Sequence, residues 1–318
     1  MLSPSAGPAL AATFGIGHDA RLTGPVARGE QGQVWRLDTE RGAFAVKDPF
    51  VEMSAAAALA DADYQDVVLS AGVPMPEPLR TPDGRVLVEV EGSPARVYRW
   101  VDVLDRDRRL DPGEVGRLLA HIHSAVVPTD GPMDAWYVEP IGPDGWREIV
   151  KGLNAGRAPF AADLEAVLPD VLAVEALLER PPATQMCHLD LWSDNLRRTP
   201  EGGLVVLDWE NSGPGDPSHE LGCVVFEFGV GDPERIRALH AAYVQAGGPG
   251  RLEHPADFTV LAAQLGHITE VGCARWLEST TEDERRHNEA WVREFVDDPV
   301  TAQQIERILA AVSSPRRS

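Results

Sequence analysis

Asp190, Asn195 and Asp208 stand in one short stretch of the chain, Cys187 to Glu210, at a spacing that suits phosphoryl chemistry. Asp190 and Asn195 fall on an irregular segment, C-H-L-D-L-W-S-D-N-L, and Asp208 closes the apolar run Leu204 to Leu207, which reads as a short buried strand. Pro200, Gly202 and Gly203 supply the turn between the two arms. A hairpin there folds Asp208 back beside the loop, so that two carboxylates and a carboxamide converge. Such donors suit Mg²⁺, which keeps several waters and takes one or two protein carboxylates together with substrate phosphates. Asn195 and Asp208 are then the metal ligands. Asp190 is left to accept a proton from a substrate hydroxyl, as phosphoryl transfer requires.

The pattern H-x-D-x-x-x-x-N followed by a strand ending in Asp, carried here by His188, Asp190, Asn195 and Asp208, resembles the catalytic core of the protein-kinase-like superfamily. With L-D-W-E where a protein kinase would have D-F-G, the stretch looks like the small-molecule branch, the aminoglycoside phosphotransferase (APH) family. By motif the resemblance runs from about Arg21 to Gly229, and beyond that by helical character only. It implies an α+β, protein-kinase-like fold of two lobes: a small antiparallel-sheet lobe with one helix, and a larger, mostly helical lobe. MgATP or MgGTP would sit between them, His188 would hold the loop's shape, and Asp216 and Glu220 would buttress it. The segment from Asp208 to Asp216 is short and no A-P-E follows. A protein kinase needs a longer activation segment there, so the acceptor should be a small molecule.

The nucleotide-side residues follow from the same resemblance. Lys47 closes A-F-A-V-K, where Phe44 and Val46 share one strand face and Ala43, Ala45 and Lys47 the other. An ammonium there is a point charge for the inner phosphates. Lys and Arg together number 29, and Lys47 and Lys151 are the sole lysines, which makes a lysine on a strand conspicuous. On the helix expected from Met53 to Ala71, the acid that would orient Lys47 is Asp61, with Asp63 as runner-up; the family has Glu. Arg99, Trp100 and Val101 fall where the hinge would present backbone groups to the adenine edge. Gly29 and Gly32 bracket G-E-Q-G, where glycine permits either close approach of a phosphate or the dihedrals of a hairpin turn.

For the substrate side, Trp146 lies in a Pro- and Gly-rich region with Trp136 and Tyr137, and aromatic faces can hold a cation, although core packing is a tryptophan's commoner fate. Glu270 and Trp276 follow the helical series Leu261, Leu265, Ile268, Gly272, and an acid such as Glu270 would neutralise an ammonium on a substrate. Asp111, Pro112 and Glu114 open an earlier helix. Its His121 and His123 are two residues apart, hence on different faces, and read as surface or packing residues.

The elements that must position these groups divide as follows: a loose N-terminal arm (1–20), the nucleotide-binding lobe (21–100), the catalytic and substrate-binding lobe (101–312) and a disordered tail (313–318). The 318 residues suffice for two cores, and the apolar (43%) and charged (25%) fractions are those of a soluble globular protein. No apolar run is long enough for a membrane span, no signal peptide is evident, and three scattered cysteines fit a reducing cytoplasm. The net charge of −21 argues against nucleic acid and favours a cationic partner. The wording D-L-W-S-D-N and D-W-E-N-S-G-P looks most like actinobacterial antibiotic phosphotransferases, including those for viomycin and capreomycin. That implies phosphorylation of a cationic antibiotic, conferring resistance. The alternatives are a metabolic kinase of the same fold, for choline, homoserine or a ketosamine, and a silent kinase-like binding protein.

Overall fold

The computed structural model describes residues 1–29, 32–50, 53–129, 131–180 and 183–313. The chain opens with α1 (Gly7–Phe14), β1 (Arg21–Arg28), β2 (Gly32–Thr39), β3 (Gly42–Pro49), α2 (Ala55–Ser70), β4 (Val88–Val90) and β5 (Ser93–Arg99). It continues through α3 (Pro112–Ser124), α4 (Ala135–Val138), α5 (Gly142–Gly156), α6 (Ala161–Glu175), β6 (Gln185–Cys187), β7 (Leu196–Arg198), β8 (Leu204–Val206) and β9 (Gly213–Gly215). The rest is helical: α7 (Pro217–Gly229), α8 (Pro233–Gln245), α9 (Thr259–Glu278), α10 (Glu282–Asp297) and α11 (Ala302–Ser313). Two compact units result, one of Met1–Asp107 with Ser193–Ser212, the other of Arg108–Trp192 with Gly213–Ser318.

In the first unit the strands form an antiparallel sheet of order β1-β2-β3-β5-β4. Alternation decides its faces: Phe44 and Val46 of β3 are buried, while Lys47 between Val46 and Asp48 is partly exposed. Gly32 is needed where β2 meets β3, since a Cβ there would come within 2.9 Å of the Asp48 carbonyl oxygen. Ser54 caps α2 by accepting from Ala57 N at 3.0 Å, and the small Ala58 and Ala62 let that helix pack close against Val86.

Two expected boundaries need correction. Residues 1–20 are no loose arm: a 3-10 turn at Pro4–Ala6 leads into α1, and Leu2, Leu10 and Phe14 join one core with Leu37, Phe44, Val46 and Val97. Sheets must cover their apolar face, and α1 does so here. Nor does the first unit end at residue 100, because the chain stays with it to Asp107 and returns at Ser193–Ser212. Leu104 N donates to Arg198 O at 2.8 Å and so ties the connection to β7. Of the tail expected at 313–318, Ser313 closes α11 and the remainder lies outside the described residues.

The second unit is built on helices with the small β6–β9 pair. Asp111 caps α3 as its sequence signature suggests, accepting from Glu114 N at 2.8 Å. Gly116 faces the Leu239 carbonyl so closely that no Cβ would fit, which lets α3 and α8 cross tightly. A core of Trp146, Leu153, Phe160, Leu164, Cys273, Trp276 and Val292 joins α5, α6, α9 and α10. No described helix is long and apolar enough to cross a membrane.

Candidate active site

In the first unit the hairpin expected from Pro200, Gly202 and Gly203 forms between β7 and β8, with Leu196 opposite Val206. Leu207 N donates to Asn195 O at 2.7 Å, so the backbones of Asn195 and Leu207 lie side by side and Asp208 follows at once. Asp208 takes a left-handed conformation (φ 56°), which turns the chain into a 3-10 turn at Trp209–Asn211. Trp209 is buried edge-to-face on Tyr64 of α2, with ring centroids 5.7 Å apart. That anchor fixes the acids on either side of it, Asp208 and Glu210.

Both acids engage Lys47. Its Nζ lies 2.7 Å from Asp208 Oδ1 and 3.1 Å from Glu210 Oε2. Burial disfavours the ammonium, but the charges of Glu210 and Asp208 outweigh that and hold its pKa above the ordinary value. Arg96 is paired directly opposite Lys47 on β5 and is 2% exposed. Its Nη1 reaches Asp61 Oδ2 at 3.2 Å and Glu210 Oε1 at 3.6 Å, while Tyr98 Oη lies 3.5 Å from the same Glu210 oxygen. The charges thus alternate from Asp61 through Arg96, Glu210 and Lys47 to Asp208.

The expected ion pair between Asp61 and Lys47 does not form. Asp61 instead serves Arg96, the longer cation that β5 places beside it, and Glu210 takes the lysine. Burial pushes the Asp61 carboxyl up to about 6, against the pull of Arg96. Asp63, the runner-up, bonds Arg80 at 2.9 Å. Sequence reading missed Glu210 and Arg96; the signal for Glu210 was the acid of D-W-E, whereas Arg96 had none, because its register opposite Lys47 pairs the non-consecutive strands β3 and β5.

Around the hinge, Arg99 N donates to Glu77 O at 2.9 Å and Trp100 N to Ala43 O at 3.1 Å. An adenine edge at Arg99–Val101 would therefore be read by other backbone groups. Gly29 N donates to Gly32 O at 2.9 Å, the hairpin use of that pair of glycines. Glu30 and Gln31 lie outside the described residues.

In the second unit the H-x-D loop is held by a buried relay. Asp190 N donates to His188 Nδ1 at 3.2 Å, so the histidine shapes the loop. Leu189, at φ 63°, donates its N–H to Glu220 Oε1, and Glu220 Oε2 lies 2.7 Å from His123 Nε2. His123 is fully buried, with Nδ1 2.8 Å from Tyr243 Oη, which accepts from Gly250 N at 2.8 Å. An order of protons that satisfies every group runs from Gly250 N through Tyr243 and His123 to the Glu220 carboxylate. Burial works against charge on Glu220, yet the hydrogen bonds from His123 and Leu189 hold its carboxyl below the ordinary range. Cys187 lies beside His123 and Glu220, but burial pushes its thiol up and both imidazole nitrogens are already engaged.

Two substrate-side expectations fail. Trp146 is fully buried, stacked near Phe295, and its Nε1 donates to Glu175 Oε1 at 2.8 Å. Trp276 is core as well, edge-to-face on Phe160 at 5.6 Å. Neither offers a face to a ligand, because both fill the space between helices. Glu270 is partly exposed (44%) and bonds His267 Nδ1 at 3.1 Å. His267 stacks on Trp136 with centroids 5.1 Å apart. The half-buried aromatic of this region is therefore Trp136.

Solved structures share this architecture. Spectinomycin phosphotransferase, determined with ADP and spectinomycin, superposes with a TM-score of 0.68 at 15% identity, covering 98% of each chain. The microcompartment-associated aminopropanol kinase reaches 0.59 at 15% identity, again over 98% of both. The shared fold is protein-kinase-like, α+β, with an antiparallel-sheet lobe and a helical lobe. The family is narrower: residues 23–257 match the sequence model of the phosphotransferase enzyme family (APH), and the chain belongs to it. Homoserine kinase of Pseudomonas aeruginosa is 30% identical over 231 residues, 67% of this chain and 66% of that one. The chain thus spans about two thirds of that relative's length.

Proposed function

We propose that the protein transfers the γ-phosphoryl group of ATP or GTP to a hydroxyl of a small, amine-bearing molecule. The observation that carries this reading is Lys47 held 2.7 Å from Asp208 at the end of the hairpin that also sets Asn195 in place. Lys47 binds the inner phosphates, and Glu210 keeps its ammonium charged and aimed. Asn195 and Asp208 are hard oxygen donors whose chemistry fits Mg²⁺. Bound there, the ion would neutralise phosphate charge as it builds up in the transfer. Asp190 orients the acceptor hydroxyl and takes its proton during a loose, in-line displacement.

An amino-alcohol metabolite of the homoserine type is the first reading for the acceptor, supported by the 30% identity to homoserine kinase. A cationic antibiotic is the second, supported by the net charge of −21 and by the partly exposed acid Glu270, bonded to the His267 that stacks on Trp136. Release of ADP from MgATP or of GDP from MgGTP decides between them, measured against homoserine, aminopropanol, choline, a fructosyl amine, aminoglycosides, viomycin and capreomycin. Asp190→Asn should lower kcat by about 10²- to 10⁴-fold with any true acceptor. Nucleotide binding without turnover, unchanged by Asp190→Asn, would leave a binding protein instead of an enzyme.

A further inference from the structure

Gln264 of α9 is 3% exposed and sits against the H-x-D loop. Its Nε2 lies 3.2 Å from Asp190 Oδ1 and 3.4 Å from Leu189 O. Both neighbours are acceptors, so the amide can face them only with its nitrogen, and its orientation is set by chemistry. The other end of the amide is left in want: Oε1 is buried and has no partner among the described residues. A buried acceptor in that state is costly, so the amide is kept for what its nitrogen does. Glu220 already accepts the N–H of Leu189, so the backbone of the loop has its own anchor. What Gln264 adds is a donor to the Leu189 carbonyl and to one oxygen of the Asp190 carboxylate.

We infer that Gln264 is a positioning residue for Asp190, holding one carboxylate oxygen and so setting the orientation in which the group meets the acceptor hydroxyl. The inference rests on the reading of Asp190 as the proton acceptor. It predicts an unusual separation of effects. In Gln264→Leu the loss of the orphaned amide oxygen offsets the loss of the donor to the Leu189 carbonyl, so the thermal midpoint moves little, while kcat falls about 10- to 100-fold, the cost of a catalytic group misplaced by about an ångström. The KM for nucleotide stays within about twofold, because Lys47 and the hairpin are untouched.

The test uses the full chain and four proteins: wild type, Gln264→Leu, Asp190→Asn and the double variant. ADP release from MgATP is measured with the best acceptor of the panel or with water. If Gln264 acts through Asp190, the leucine substitution lowers turnover in the wild-type background and adds nothing in Asp190→Asn. An equal loss in both backgrounds, or no loss in either, overturns the inference. A fully active Asp190→Asn instead overturns the reading of Asp190, a distinguishable result. Crystal structures of wild type and Gln264→Leu give a readout independent of turnover: the Asp190 carboxylate should shift, and an unmoved carboxylate sinks the proposal. Should Gln264→Leu fail to fold, Gln264→Glu keeps the volume and removes the amide donor, with the same loss of turnover expected in the wild-type background and no further loss in Asp190→Asn.

Discussion

A lysine and an arginine linked through three carboxylates form a chain of charge in which each member depends on its neighbours. Glu210 is the shared member, within 3.1 Å of Lys47 and 3.6 Å of Arg96. Glu210→Gln leaves the buried guanidinium to Asp61 alone, and a loss of about 1–3 kcal/mol is expected in urea titration, with a higher KM for nucleotide. A stability change of zero would show that the pair is idle. Asp61 contributes a pH dependence whose sign follows from its carboxyl being pushed up to about 6 from the ordinary 3.8. Between those values the folded protein binds a proton that the unfolded chain has lost, so stability falls as pH rises through about 6. Wild type measured against Asp61→Asn should therefore lose relative stability between about pH 4 and 7. A flat difference would mean that Asp61 ionises as freely as in the unfolded chain.

Elements place these residues by ordinary rules of packing. The β7–β8 hairpin delivers Asn195 and Asp208, Trp209 pins the turn to α2, and α9 brings Gln264 to the H-x-D loop. Trp146 of α5 belongs to this scale as well, as the largest fully buried side chain. Trp146→Ala should cost about 3–5 kcal/mol by urea denaturation. Trp146→Phe keeps most of the packing, and Glu175 keeps the backbone N–H groups of Ile141 and Gly142 as donors. That variant should leave the KM of every acceptor unchanged, and a raised KM would restore the tryptophan to the substrate site.

For the molecule as a whole the governing quantity is the net charge of −21. Surface potentials attract cations over a screening length of about 10 Å at 0.1 M salt and about 3 Å at 1 M. A cationic acceptor should therefore show a KM that climbs with added NaCl while kcat holds. A KM indifferent to salt would place recognition in short contacts or in an uncharged substrate.

Local chemistry made much of the site legible in the chain. The turn residues Pro200, Gly202 and Gly203 dictate a hairpin, and strand alternation sets Lys47 on the face opposite Phe44 and Val46, because both rules act over a few residues. Tertiary structure decided the partners. Asp61 was expected to reach Lys47, but the acids that do so come from residues 208 and 210, and Arg96 claims Asp61 through a strand register that no short window displays. The same holds for Trp146 and Trp276, whose type suits a core and a ligand site equally, and for the first twenty residues, whose glycines and prolines read as loose until the sheet supplies a face to cover. By itself the sequence determined which groups could do chemistry and which short elements carry them. Which side chain meets which depends on contacts far apart in the chain, whose energy exists only once the elements have packed.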